Sequence, residues 1–160
     1  MIKIGSRTID TNVFLAPMSG CTDLPFRLIA REHGARFAFL EMLDANSFQH
    51  DSRRTFSMMK TCAADRPLAA QLVGNEPISM LEGAGKILKA LDVTFLDINA
   101  AFPARKVIKK KAGAYLMRNQ TMLYSIIRRL SRELPVPVTV KLRLGFDDET
   151  VDDLREVAAR

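Results

Sequence analysis

The 160-residue chain has no tryptophan, two tyrosines, two histidines and two cysteines. Two cysteines, Cys21 and Cys62, are too few for the disulfide framework of a small secreted domain, so a reduced, cytoplasmic protein is expected. His33 and His50 have neither the paired spacing of a zinc site nor a carboxylate-rich calcium loop around them, and no metal is expected. No apolar run approaches the roughly 20 residues of a membrane span, so no membrane partner is expected. Residues 1–10 carry charge and lack the apolar stretch of a signal peptide. Eight glycines and seven prolines are too few for a collagen-like or low-complexity chain.

What is present fits one globular domain with a real core: 48% of the residues are hydrophobic and 26% charged. Basic residues exceed acidic ones by 24 to 18, a net charge of +6 that suits either solubility or a polyanionic partner. The excess is clustered. Arg105, Lys106, Lys109, Lys110 and Lys111 lie within seven residues, and Arg128, Arg129 and Arg132 form a second group.

Two short β segments over 2–4 and 7–9 flank Gly5-Ser6 and predict a hairpin. The apolar run 13–16, ended by Pro17, predicts a buried strand. Further strands are predicted over 37–42, 67–73, 95–98 and 138–142. Helices are predicted over 22–33, closed by Gly34, over 76–91 with Asn75 as its cap, over 119–134, and from 147 to 160. Residues 44–59 read as loosely helical and polar, and 99–114 as a basic loop. Short apolar strands alternating with helices predict a parallel sheet covered by helices. Both a doubly wound sheet and a (β/α)₈ TIM barrel fit that order. The barrel is favoured, because Met18, Glu41, Gln71, Asn99, Lys141 and Arg143 all fall at the C-terminal ends of strands, which face one mouth in a barrel. The turn Pro17-Met18-Ser19-Gly20-Cys21 also lacks the glycine fingerprint of a dinucleotide-binding fold. A barrel typically takes about 250 residues. The chain is therefore expected to be residues 1–160 of a single barrel domain, truncated to about the first five βα units, with an open edge through which two copies associate and no second domain.

Four segments carry a family resemblance in order along the chain. They are the run from Ala16-Pro17-Met18 to Phe26-Arg27; Ala70-Gln71-Leu72-Val73-Gly74; Asp97-Ile98-Asn99-Ala100-Ala101-Phe102-Pro103, continued by Ala104-Arg105-Lys106-Val107 and Ala112-Gly113-Ala114; and Val140-Lys141-Leu142-Arg143-Leu144-Gly145. Together they resemble the bacterial branch of the tRNA-dihydrouridine synthases. The resemblance implies an FMN-dependent oxidoreductase that draws on NADPH and reduces uridine to 5,6-dihydrouridine in tRNA. It implies that hydride reaches C6 of the uracil while a cysteine, within an Asn-x-Gly-Cys-Pro motif, protonates C5. Here that motif reads Asn99-Ala100-Ala101-Phe102-Pro103. Phe102 stands at the position of the acid and has no proton to give.

The remaining site expectations follow the same segments. Pro17 and Met18 are expected to line the flavin, Gln71 to bond its ring edge, and Lys141 to face its N1–C2 carbonyl region. Asn99 is expected against the uracil or the flavin. Arg105, Lys106, Lys109, Lys110 and Arg143 are expected to contact RNA, with pairing to Asp147 as the alternative for Arg143. Cys21 and Cys62 are expected to be inert small hydrophobes, Cys21 near the mouth and Cys62 structural. The flavin phosphate grip and an RNA-binding helical domain are expected beyond Arg160. Two other readings stay open: a catalytically impaired relative that keeps flavin or tRNA binding, and another FMN-dependent barrel oxidoreductase.

Overall fold

A computed structural model describes residues 1–50, 53–144 and 146. The hairpin forms where expected, with β1 (Ile2–Ile4) antiparallel to β2 (Arg7–Ile9) and Gly5 at φ 56° in the turn. The main sheet is parallel, in the order β3 (Ala38–Asp44), β4 (Leu68–Val73), β5 (Leu96–Asn99) and β6 (Val138–Lys141). Sequential parallel neighbours with helical crossovers are the start of a (β/α)₈ barrel rather than a doubly wound sheet, whose order reverses.

The predicted strand over 13–16 is reduced to a single parallel bridge, Leu15 to Ala38, held by Leu15 N–H to the Phe37 carbonyl at 3.0 Å and Phe39 N–H to the Leu15 carbonyl at 3.2 Å. Its ends have other partners. The Val13 N–H is taken by Thr11 Oγ1 at 3.0 Å, and Pro17 has no N–H to extend the ladder. The segment still occupies the place of the barrel's first strand.

The helices are α1 (Leu24–Glu32), α2 (Arg53–Met58), α3 (Pro77–Ala90), α4 (Arg105–Ile108) and α5 (Gln120–Glu133), with 3₁₀ turns at Ala45–His50, Ala63–Asp65 and Gly113–Met117. Asp23 caps α1 by accepting from Phe26 N–H, and Gly34, at φ 98°, closes it. The cap of α3 is Glu76 and not Asn75. The Glu76 carboxylate accepts from the N–H groups of Ile78 and Ser79, because Pro77 already holds the first helical position. The basic loop over 99–114 is partly ordered into α4 and the 3₁₀ turn that follows. The helix predicted over 147–160 lies outside the described residues.

Alternation, broken once within β3, divides the sheet into two faces. Leu68, Ala70, Leu72, Leu96 and Ile98 point outward, into the core shared with the helices. Ala69 and Phe95 point inward, with Phe37 and Phe39. Phe14, Phe37, Phe39 and Phe95 form an aromatic floor, with Phe37 and Phe95 stacked at 5.5 Å, and Ile2, Ile4 and Ile9 of the hairpin pack beneath it. The hydrophobic floor thus sits at one end of the inner face, and the polar inward residues Gln71, Asp97, Asn99, Thr139 and Lys141 occupy the other.

Candidate functional site

Where β3 meets β4, one extra residue enters between Phe39 and Met42, and Met42 still pairs with Gln71 on the inner face. The residue displaced by this bulge is Glu41. Its buried carboxylate accepts from the N–H of Gly20 across 21 residues. Gly20 sits at φ 75°, a conformation that favours glycine. Thr22 Oγ1 closes the same turn by accepting from Met18 N–H and donating to the Met18 carbonyl. Pro17 and Met18 are therefore held at the mouth by a fixed loop.

The inward residues of three strands form one hydrogen-bonded row. Thr139 donates to Asp97 Oδ1 at 2.5 Å, and Gln71 Nε2 donates to Asp97 Oδ2 at 2.6 Å. Asn99 Nδ2 donates to Gln71 Oε1 at 2.8 Å and lies 3.3 Å from Met42 Sδ. Asn99 Oδ1 accepts from the backbone N–H groups of Ala101 and Phe102 at 3.1 and 2.9 Å. Burial pushes the Asp97 carboxyl above its ordinary range, against the opposing effects of Thr139, Gln71 and the Lys141 charge. A raised carboxyl favours the fold below the ordinary range, and that contribution is lost as pH rises through its folded value. Lys141 Nζ has no hydrogen-bond partner among the described residues.

Phe102 is half-buried. Its carbonyl accepts from Ala114 N–H at 3.1 Å, and Gly113 passes directly beneath it. A Cβ on Gly113 would lie 2.6 Å from that carbonyl oxygen, and φ there is 61°, so glycine is required on both counts.

These parts enclose a cavity of about 320 Å³ lined by Pro17, Met18, Ser19, Met42, Gln71, Asn99, Ala101, Phe102, Pro103 and Lys141. All four expected flavin-lining residues, Asn99 and Phe102 therefore meet in one place, drawn from the first loop, three strands and the loop after β5. Lys141 is the one ionisable side chain in this lining. Gln71, expected to bond the flavin edge, is fully buried with Asp97 and Asn99 as its partners.

A second cavity of about 430 Å³ adjoins the first and shares Ser19, Met42 and Phe102 with it. Arg54, Lys106 and Lys110 line it, and Lys110 also pairs with Asp44 at 3.0 Å. Arg105, Lys109 and Arg143 are exposed but belong to neither lining, and Asp147 lies outside the described residues. Cys21 and Cys62 are both exposed, so neither is a buried small hydrophobe: each sits at a turn rather than on an inward or helix-facing position. Among the described residues no group of His, Cys, Asp and Glu is arranged to hold a metal, and no helix is long and apolar enough to cross a membrane.

Sequence reasoning missed Asp97, Thr139, Met42 and Arg54. Alternation carried a signal for two of them. Asp97 lies two residues before Asn99 and Thr139 two before Lys141, so each shares a face with an expected site residue of its own strand. Nothing local marks Arg54 or Met42.

A family model described as dihydrouridine synthase matches residues 14–160. A probable tRNA-dihydrouridine synthase from Rickettsia typhi is 38% identical over 154 residues, covering 94% of this chain and 46% of the relative. The probable tRNA-dihydrouridine synthase of Rickettsia bellii is 35% identical over 151 residues, with the same two shares, 94% and 46%. The tRNA-dihydrouridine synthase B of Pseudomonas aeruginosa is 34% identical over 147 residues, covering 92% of this chain and 44% of that protein. The chain spans less than half the length of these relatives.

Proposed function

The chain belongs to the dihydrouridine synthase family, and from that premise we propose that it contributes the substrate-facing half of an FMN- and NADPH-dependent enzyme acting on uridine in tRNA in the cytoplasm. The observation that carries this reading is the convergence of Pro17, Met18, Gln71, Asn99, Phe102 and Lys141 on one cavity. The residues fit a flavin ring. Pro17, Met18, Met42 and Ala101 offer apolar surface, while Lys141 offers a charged donor at one edge, a combination suited to a flat heterocycle with a carbonyl edge. A flavin bound there would accept hydride from NADPH and deliver it to the pyrimidine ring.

The chain's own residues then have separate tasks. Pro17 and Met18 would cover one side of a bound ring, and the Lys141 ammonium would offset negative charge at its carbonyl edge. Asn99 spends both ends of its amide on Gln71 and the 101–102 backbone, so it holds the loop instead of reaching for a ligand. Phe102 partitions the two cavities and supplies no proton. Its replacement of an acid supports a slow protonation step. Arg54, Lys106 and Lys110 give the second cavity the charge to receive phosphates of nucleotides beside the target base.

The test uses the protein expressed from its complete reading frame. It should retain FMN and oxidise NADPH while forming little dihydrouridine in tRNA. Phe102→Cys should raise dihydrouridine formation by about 10²–10⁴-fold. Lys141→Ala should lower FMN retention. Replacing Arg54, Lys106 and Lys110 with Gln should flatten the salt dependence of tRNA binding, by about 0.7–0.9 in the log–log slope for each phosphate no longer neutralised. A protein that binds neither flavin nor tRNA overturns the reading. High dihydrouridine yield with Phe102 in place overturns the slow step.

A further inference from the structure

We propose that Asp97 is a positioning residue that sets the loop carrying residue 102, acting through the amides of Gln71 and Asn99. The inference deepens the reading of the mouth given above, but it stands on hydrogen-bond direction. A carboxylate only accepts and a backbone N–H only donates. The row between them contains two amides, each of which has an accepting and a donating end. With Asp97 accepting from Gln71 Nε2, Gln71 must turn Oε1 toward Asn99. Asn99 must then present Nδ2 to Gln71 and Oδ1 to the N–H groups of Ala101 and Phe102. Both ends of the row are thus of fixed sense, and the two amides between them have one arrangement that satisfies every bond. If Gln71 were reversed, its Nε2 would meet Asn99 Nδ2, and reversing Asn99 in turn would aim Nδ2 at two backbone donors.

The row is largely buried. Gln71 is fully buried, and Asp97 and Asn99 are each 5% exposed, so solvent does not replace a missing partner. The span is also functional in its placement. It begins on β6, crosses β5 and β4, and ends at the loop where Phe102 separates the two cavities. Thr139 meets the other carboxylate oxygen and bears on the charge of Asp97 without touching the amides.

Backbone hydrogen exchange at Ala101 and Phe102 tests the inference, measured on the protein expressed from its complete reading frame without flavin or RNA. Asp97→Leu removes the acceptor and should speed exchange at these two amides by about tenfold relative to the rest of β4 and β5. Asp97→Asn keeps an acceptor for Gln71 and should restore protection to within about threefold of the parent. Thr139→Val leaves the Asp97–Gln71 bond in place and should leave both amides protected. If Asp97→Leu does not fold, Gln71→Leu breaks the row one step nearer the loop and must give the same pattern. Wild-type protection in the Leu variants overturns the proposal. So does equal loss in Asp97→Asn and Asp97→Leu, or a uniform rise across the whole sheet. Because no ligand enters the measurement, its failure leaves the flavin and tRNA reading intact, and failure of that reading leaves this result standing.

Discussion

Among the described residues Arg27 is the bulkiest side chain that is completely buried, and it is charged. It survives there because every nitrogen of its guanidinium is engaged. Nε and Nη2 donate to Asp65 Oδ2 at 2.9 and 2.8 Å, Nη1 to the Thr22 carbonyl, and Nη2 to the Lys60 carbonyl. Arg31 and Thr61 complete the shell of Asp65. Burial alone would raise the Asp65 carboxyl, but the bonds and charge of Arg27, together with the bonds of Thr61 and Arg31, outweigh it and hold it below its ordinary range. A depressed carboxyl stabilises the fold above the ordinary carboxylate range, and that stability is lost as pH falls through the folded value. Arg27→Met should cost about 3–5 kcal/mol at neutral pH by removing the buried partner of a buried carboxylate and leaving it only Arg31 and Thr61. The same variant should flatten the acid limb of a pH series of thermal melts. An unchanged midpoint at pH 7 would contradict this. Arg27 closes the first of the family segments, yet its task was not legible in sequence, because Asp65 lies 38 residues away and only the fold brings the two together.

At the scale of elements, the parallel strands were legible because fully apolar runs with flanking breakers have few other readings. The segment over 13–16 was legible as buried chain but not as a mere bridge, since the shortening of its ladder depends on Thr11 competing for one N–H. The order within 99–114 was hidden for a similar reason. Its turn is built on backbone contacts between Phe102 and Ala114 and on the left-handed Gly113, which composition does not reveal. Gly113→Ala should therefore disturb the mouth more than the core. We expect a destabilisation of about 1–3 kcal/mol, from strain and the clash with the Phe102 carbonyl. Measured by denaturant melts, Gly85→Ala, which meets nothing within 4 Å on a helix, should be neutral or stabilising by comparison.

For the whole molecule, the sheet is well covered on its outer face and less so at one side. Among the described residues β6 pairs only with β5, and Val138 and Val140 are half-buried while the corresponding residues of β4 and β5 are fully buried. A parallel edge with apolar neighbours invites pairing. The 160-residue chain expressed by itself should associate at micromolar concentration, and sedimentation should show a dimer or larger species. A sharp monomer would count against this. The site was legible as a set of strand ends, because alternation and the barrel rule place those ends together. Its internal wiring was not, since which amide faces which depends on register between strands far apart in sequence.

The bulge at Glu41 has a consequence for how this architecture tolerates change. Deleting Glu41 would bring β3 into unbroken alternation, with Phe39 and Met42 still inward and Leu40 and Leu43 still outward. The strand would be more regular, yet Gly20 would lose its carboxylate and the Pro17–Met18 wall its anchor. The deletion variant should melt within a few degrees of the parent but hold FMN more weakly in equilibrium dialysis. In this sheet the irregular residue is the serviceable one, and a tidier strand would make a poorer mouth.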